Sequence, residues 1–498
     1  MTSTDITSSR RPPADPGGRA GFTLATVAVV QFLVSLDLSV VNLALPRIAS
    51  GLGFSALGVT WVIDAYALCF GGLLLLGGKA ADRYGRKRLL MAGLALFGLA
   101  SLAGGLALNP STLIAARAAQ GVGAAAMAPA ALALLTSTFP AGRARVRAFG
   151  VWSAVNAAGG AFGVLVGGVL TEYAGWRWVM FVNVPMAAGA LALTARAVTR
   201  EPPRARTGRL DVAGTALGTV GIGLLVFGVV RTDQYPWTSA VTGITLVIAV
   251  ALLAGFVYVE RSVAREPLIR LGLLARRPVG GGNAYNLLLG AAITSGVYFM
   301  SLYLQRILGT EPALTGVEFL PFALGLVAGS VLAVKLGYRL SSRTLLVGGG
   351  LLTATGFAWF GQITPGGSFA VNVLGPSILV SIGFGLCLGP VVSTATIGVA
   401  ADEAGVASGL LSSSRQIGAS LGLAALGTAA AHRTASSGTL RALDAGYALG
   451  LTLSAALMLT AVLIALTVLR RTPQPPLGPS PEAVTSTGQL DASEGSKR

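Results

Sequence analysis

Three ionisable side chains interrupt long apolar runs: Asp37 in Leu36-Asp37-Leu-Ser-Val-Val-Asn42-Leu-Ala-Leu-Pro46, Asp64 in Trp61-Val-Ile-Asp64-Ala-Tyr66, and Arg117 in Leu113-Ile-Ala-Ala-Arg117-Ala-Ala-Gln120-Gly121-Val-Gly123. A charge held in hydrocarbon costs about 2.5 kcal/mol or more, so such a group faces a partner, a wet cavity or an ion path. At about 1.5 Å rise per residue, Asp37 lies about 12 Å from the nearer end of its run at Leu45, and Asp64 and Arg117 about 9 Å into theirs. Two carboxyls and a guanidinium at similar depth can do proton chemistry. Desolvation favours a neutral acid and a neighbouring cation favours the carboxylate, so a small movement can load or unload a proton. Asp37, the deeper carboxyl, is the first candidate carrier, Asp64 the second, and Arg117 the counter-charge. A permanent structural ion pair is the other reading, and Arg117 reaching back to the membrane surface is a third.

Other chemistries lack their residues. Cys69 and Cys387 stand alone in apolar runs and His432 is the only histidine, which leaves no metal centre to expect. No phosphate-binding Gly-Lys-Ser/Thr loop is present. Neither an enzyme nor an ATP-driven machine is expected, no cofactor is implied, and an ion gradient is the available source of energy. The net charge of +17 is spread through short clusters between apolar runs, a pattern of membrane topology rather than nucleic-acid binding.

The elements that position these groups are membrane helices. With 53% hydrophobic and 11% charged residues, the chain lies far from soluble composition. Runs long enough to cross about 30 Å of hydrocarbon fall at 22–45, 58–78, 88–108, 111–135, 149–170, 179–197, 211–230, 240–259, 283–305, 314–336, 344–362, 371–395, 406–429 and 445–469. No cleavable leader is expected, because the first run continues into a many-span chain. If the N-terminus is cytoplasmic, 28 of the 36 Lys and Arg residues fall in inner segments and 6 in outer loops, so both termini are expected inside. Lys79-Ala-Ala-Asp-Arg-Tyr-Gly-Arg-Lys-Arg-Leu-Leu90 aligns without gaps on Lys335-Leu-Gly-Tyr-Arg-Leu-Ser-Ser-Arg-Thr-Leu-Leu346. That repeat suggests two six-helix halves with two helices inserted between them. The expected divisions are a disordered cytoplasmic N-terminus (1–20), a first half (21–200), the insert with its loops (201–278), a second half (279–470) and a disordered cytoplasmic tail (471–498).

Four motifs in order resemble the major facilitator superfamily, in its branch of fourteen-helix drug/proton antiporters of the EmrB/QacA kind. The loop Gly78-Lys-Ala-Ala-Asp82-Arg83-Tyr-Gly85-Arg86-Lys87-Arg88 is similar to the family's loop after helix 2, which implies a conformational latch, with anchoring at the membrane surface as the plainer role. The Arg117 segment resembles the proton-coupling motif, and the Asp37 segment resembles the motif of the fourteen-helix branch. Gly159, Gly163, Gly167 and Gly168 resemble the antiporter motif of helix 5, although Val164 stands where the family usually has the proline that would kink the helix. As a stripe of small residues they allow close helix approach, and helix 10 offers Gly325 and Gly329 at the same spacing. The matches Trp176-Arg-Trp178 with Asn183, and Arg415-Gln416, carry no assigned role.

The resemblance implies an all-α integral membrane protein of fourteen transmembrane helices in the bacterial cell membrane, exporting small, largely apolar drugs or antibiotics in exchange for protons. Proton-coupled uptake of a small metabolite is the alternative. Candidates for the substrate path are Gln31, Asn42, Gln120, Asn156, Asn286, Tyr298, Arg415 and Gln416, each with plain helix packing as its rival role. The implied partners are the drug, protons and lipid, with no nucleic acid.

Overall fold

The computed structural model describes residues 16–55, 58–139, 143–197, 211–231, 235–263, 271–337, 339–397, 399, 404–434 and 439–469. No strand occurs among them. The long helices are α1 (Pro16–Leu52), α2 (Trp61–Tyr84), α3 (Arg86–Gly105), α4 (Pro110–Thr138), α5 (Arg143–Val169), α6 (Arg177–Arg196), α7 (Val212–Val230), α8 (Ala240–Tyr258), α9 (Arg277–Ile307), α10 (Pro312–Gly337), α11 (Ser342–Phe360), α12 (Phe369–Ala395), α13 (Ala404–Thr434) and α14 (Leu440–Thr467). Each of the fourteen expected runs lands on one of these. Among the described residues, twelve helices are long and apolar enough to span a bilayer. The other two, α11 and α13, are diluted by Gly, Ser and Thr. They hold their places by helix packing, for which small residues are suited.

Packing repeats between the halves. In the first, α1 lies on α5 and α6, and α4 on α2 and α3; in the second, α9 lies on α13 and α14, and α12 on α10 and α11. The sequence repeat continues into this geometry. Gly93 of α3 and Gly123 of α4 meet so closely that a Cβ on either would sit 2.8 Å from the other's carbonyl oxygen, and Gly349 of α11 and Gly383 of α12 form the matching crossing. The halves join along two seams, α2 against α13 and α5 against α10. The insert is a hairpin in which α7 packs on α2 and α13 and α8 packs on α7. Val241, Ile244, Val247, Val250 and Tyr258 of α8 stay exposed, as residues facing lipid would.

The basic loops at Lys79–Arg88 and Lys335–Arg343 share one end of the bundle, here the basic end; interhalf hydrogen bonds occur midway, where Ser413 Oγ of α13 donates to the Gly71 carbonyl at 2.7 Å, and at the other end. Pro46, inside α1, has no N–H, so the Asn42 carbonyl loses its helical donor. Ser301 Oγ of α9 donates to that oxygen at 3.3 Å, and Gln305 Nε2 donates to the Leu43 carbonyl at 3.2 Å. Glu172, just beyond α5, accepts from the Ala313 N–H at 2.7 Å and so caps α10, where a carboxylate suits the helix N-terminus. The structure is therefore closed at the far end.

At the basic end Gly85 alone separates α2 from α3, with φ of 96° and its N–H on the Ala81 carbonyl. Its counterpart Ser341 has φ of −68° and caps α11 through Thr344 N–H. Gly85→Ala is therefore expected to cost about 1–3 kcal/mol, against about 1 kcal/mol for Ser341→Ala. Thermal melting of the purified protein in detergent orders the two, and equal shifts would remove the backbone argument.

Candidate functional site

The expected proton-coupling groups separate into two places. Val62 and Tyr66 of α2 face α4, where the Val62 carbonyl accepts from Arg117 Nε at 2.8 Å and the Tyr66 ring lies 4.5 Å from the guanidinium carbon. Arg117 Nη1 then donates to Asp37 Oδ2 at 2.8 Å and to Gln120 Oε1 at 2.9 Å. Asn183 Nδ2 donates to Asp37 Oδ1 at 2.8 Å, and Gln120 Nε2 reaches the same oxygen at 3.4 Å. Gln120 Nε2 also donates to Ser101 Oγ at 2.7 Å. Asp37, Gln120, Asn183 and Ser101 are fully buried and Arg117 nearly so. Four helices of the first half, α1, α3, α4 and α6, and the backbone of α2 thus close on one ion pair. Both carboxylate oxygens of Asp37 have charged or amide donors, the condition under which a buried pair holds its charges. Arg117 does not snorkel.

Asp64 is two residues from both Val62 and Tyr66, which turns it about 200° away from them on a helix of 3.6 residues per turn. It meets the α2–α13 seam, fully buried beside the hydroxyls of Thr60 and Ser420, with no ion pair among the described residues. Depth made Asp37 the preferred carrier, and the hydrogen bonds give reason to reverse that order. Asp37 is held by an arginine and two amides within one packed half, whereas Asp64 has only hydroxyl neighbours and lies where the two halves meet, so an opening of the seam changes its surroundings.

The glycine stripe lies where its spacing indicates but not against the helix expected. A Cβ on Gly159 would sit 2.9 Å from Ser35 Cβ, one on Gly163 2.8 Å from the Leu36 carbonyl oxygen, and one on Gly167 2.7 Å from that of Val40. All three face α1, and only Gly168 turns to α10, against Pro312. Gly325 and Gly329 of α10 instead meet Ser381 and Ile382 of α12. The sequence shows the stripe but not which neighbour it faces. α5 runs unbroken through Val164. Gly163→Leu drives a side chain into the backbone next to Asp37 and is expected to destabilise by about 3 kcal/mol or more. A detergent-solubilised variant of unchanged melting temperature would contradict this contact.

Around the latch loop, Asp82 is helical in its backbone and its side chain lies outside the described residues. Gly78 faces Pro129 Cβ and Arg83 lies over Tyr84 at 5.9 Å. Arg86 follows Gly85 at the start of α3. Lys87 Nζ donates to the Ala195 carbonyl at the end of α6, at 2.8 Å. Its repeat counterpart Arg343 donates to the Ala465 and Leu466 carbonyls near the end of α14, at 3.1 and 2.5 Å. Each basic residue staples the third helix of a half to the last turn of its sixth, where a cation suits the helix dipole.

The path candidates are mostly engaged in packing. Gln31 Nε2 and Ser35 Oγ donate to Asn156 Oδ1 at 2.7 and 2.5 Å, tying α1 to α5. Asn42 Nδ2 bonds the Leu38 carbonyl of its own helix, and Asn286 Nδ2 bonds that of Leu411 on α13. Tyr298 is buried against Phe299. Gln120 belongs to the ion pair rather than to a path. Gln416 packs its stem on Gly71 in the α2–α13 seam, and Arg415 lies half-buried with its backbone and stem on Gly290. Tyr66 and Ser101 carry no assigned role in the sequence motifs, and Asn183 surfaced only as an unassigned member of the Trp176 signature.

The sequence matches the Major Facilitator Superfamily over residues 27–423. The cephamycin export protein CmcT of Amycolatopsis lactamdurans is 41% identical over 437 residues, 86% of this chain and 90% of that protein. The puromycin resistance protein pur8 of Streptomyces alboniger is 41% identical over 461 residues, 90% of this chain and 91% of its own length. Among solved structures, the POT family transporter PepTSo superposes with a TM-score of 0.65 at 14% identity, covering 91% of this chain and 99% of that one. A bacterial homologue of the human lysosomal transporter Spinster, inward-facing and unoccupied, gives 0.64 at 17% identity with the same coverage. At such identities the likeness is one of fold. Two six-helix halves around an inserted pair, and relatives matching along nine-tenths of its length, place this chain in the major facilitator superfamily.

Proposed function

We propose that the protein exports small, largely apolar compounds of the antibiotic kind by alternating access, in exchange for protons. The observation that carries the export reading is the 41% identity, along nearly the whole chain, to one protein named for cephamycin export and another named for puromycin resistance. Closure at the far end through Ser301, Gln305 and Glu172 supports a rocking of the halves about the seams. The surplus of Lys and Arg in the loops supports a cytoplasmic basic end, with both termini inside a bacterial cell membrane. For coupling, the Asp37–Arg117 pair is the fixed strut of the first half and Asp64 the carboxyl that exchanges a proton. The test is a drug-sensitive bacterium expressing the chain and given labelled puromycin or a labelled cephamycin. Lower accumulation than in the empty host, restored to the host's level by a protonophore, is expected. Higher accumulation would make the protein an importer, and lower accumulation indifferent to the protonophore would remove the proton.

A further inference from the structure

Arg415 lies eleven residues beyond Ala404, the first residue of α13, which puts it about 16 Å from the basic end by helix rise. Three faces of α13 are covered at this level. Ser413 Oγ donates to the Gly71 carbonyl of α2 at 2.7 Å, and Gln416 packs on the same glycine. The Leu411 carbonyl accepts from Asn286 Nδ2 of α9, and Gly418 and Gly422 meet Leu287 and Ala291 of that helix. On the outer side Ala424 clusters with Val226 and Val230 of α7, and Thr428 Oγ1 donates to the Val229 carbonyl at 3.2 Å. At about 100° per residue Arg415 lies about 180° from Ala424, so it is turned away from α7 and the lipid, between the faces that meet α9 and α2. Ser412, three residues earlier, shares that side of the helix. Both are half-buried, whereas Ser413, Ser414, Gln416 and Ser420 around them are buried. Exposure at that depth and on that face is exposure to space inside the bundle. Gly290 of α9 makes room for the arginine, since a Cβ there would sit 3.1 Å from Arg415 Cγ. Among the described residues the buried ion pair is that of Arg117 with Asp37, and no carboxylate, carbonyl or ring meets the Arg415 guanidinium; the Ser412 hydroxyl has no partner either. A cation held at such depth is costly, and one without a protein partner marks a substrate or ion path.

Resting on the export reading above, we propose that Arg415, with Ser412, binds a carboxylate of the transported compound, so that the preferred substrates are largely apolar molecules carrying one anionic group. A guanidinium presents N–H donors in a planar fork that matches the two oxygens of a carboxylate, and it keeps its charge at any physiological pH. The hydroxyl on the same side of the helix supplies one more donor. Such charge-assisted bonds gain strength away from bulk water, and the ligand brings the counter-charge that the protein withholds. A lipid phosphate has the same chemistry, but α7 covers α13 on the bilayer side. The occupant is therefore a compound that enters from the basic end, the far end being closed.

The experiment measures binding to the full-length protein purified in detergent, with a cephamycin and its methyl ester as probes. The pair differs in the charge that Arg415 would hold. The wild type is expected to bind the acid more tightly than the ester by about tenfold or more. Arg415→Gln should bring the acid down to the affinity of the ester and leave the ester unchanged, Arg415→Lys should keep part of the preference, and Ser412→Ala should weaken the acid by a few-fold. An unchanged ester affinity shows that the variants are folded. Equal weakening of acid and ester by Arg415→Gln would make the residue structural and overturn the proposal. So would a wild type that binds the acid no better than the ester, neither binding included, and that comparison needs no variant. Binding is read with no gradient present, so failure of the export reading would show separately, in the accumulation test.

Discussion

Arg117→Ala is expected to abolish export and to destabilise the protein by about 3–5 kcal/mol, because it leaves the Asp37 carboxylate buried without its cation. Asp37 cannot turn elsewhere, since its remaining donors are the amides of Asn183 and Gln120, both fixed in the same packed cluster. Adding Asp37→Asn to Arg117→Ala removes the orphaned charge and should recover a large part of the lost stability. Two residues in direct contact are non-additive by 0.5–3 kcal/mol in typical cycles. Thermal melting of the single and double variants in detergent gives the coupling. Additive losses would mean that the pair, 2.8 Å apart, does not hold the first half together.

Asp64→Asn has the opposite profile. The amide is nearly isosteric with the neutral acid, so folding, membrane level and melting temperature should stay near wild type. Proton-driven accumulation should fall to passive equilibrium, while drug exchange down its own gradient survives. Two carboxylates at similar depth in the same half are thus separated by one comparison: removing one costs structure and removing the other costs drive. If Asp37→Asn retained stability and Asp64→Asn retained drug pumping, the roles assigned to the two would be exchanged.

Depth along a helix is a product of sequence number and rise, and the sequence therefore placed Asp37, Asp64 and Arg117 at one level. Azimuth depends on which neighbours a helix finds. That is why Val62 and Tyr66 serve Arg117 while Asp64, between them, faces the other half. The same limit explains the stripe at Gly159, Gly163 and Gly167, visible from spacing but lying on α1 rather than α10. Ser101 gave no signal, because a serine inside an apolar run is ordinary in membrane helices. The repeat was more legible than its length suggested: the step that aligns Lys87 with Arg343 also aligns Gly93 with Gly349, and both pairs make the same contacts in their own halves. α11 and α13 were found as runs between charges, although their composition alone is too polar to mark them as spans.

The most direct test uses everted membrane vesicles from a bacterium expressing the chain, energised by respiration, with a fluorescent dye reporting the pH difference. Adding puromycin or a cephamycin should release protons from the vesicle interior as drug accumulates there, and vesicles carrying Asp64→Asn should show neither change. Drug accumulation that leaves the pH difference untouched, or proton release unaltered by Asp64→Asn, would contradict drug–proton exchange through this carboxyl.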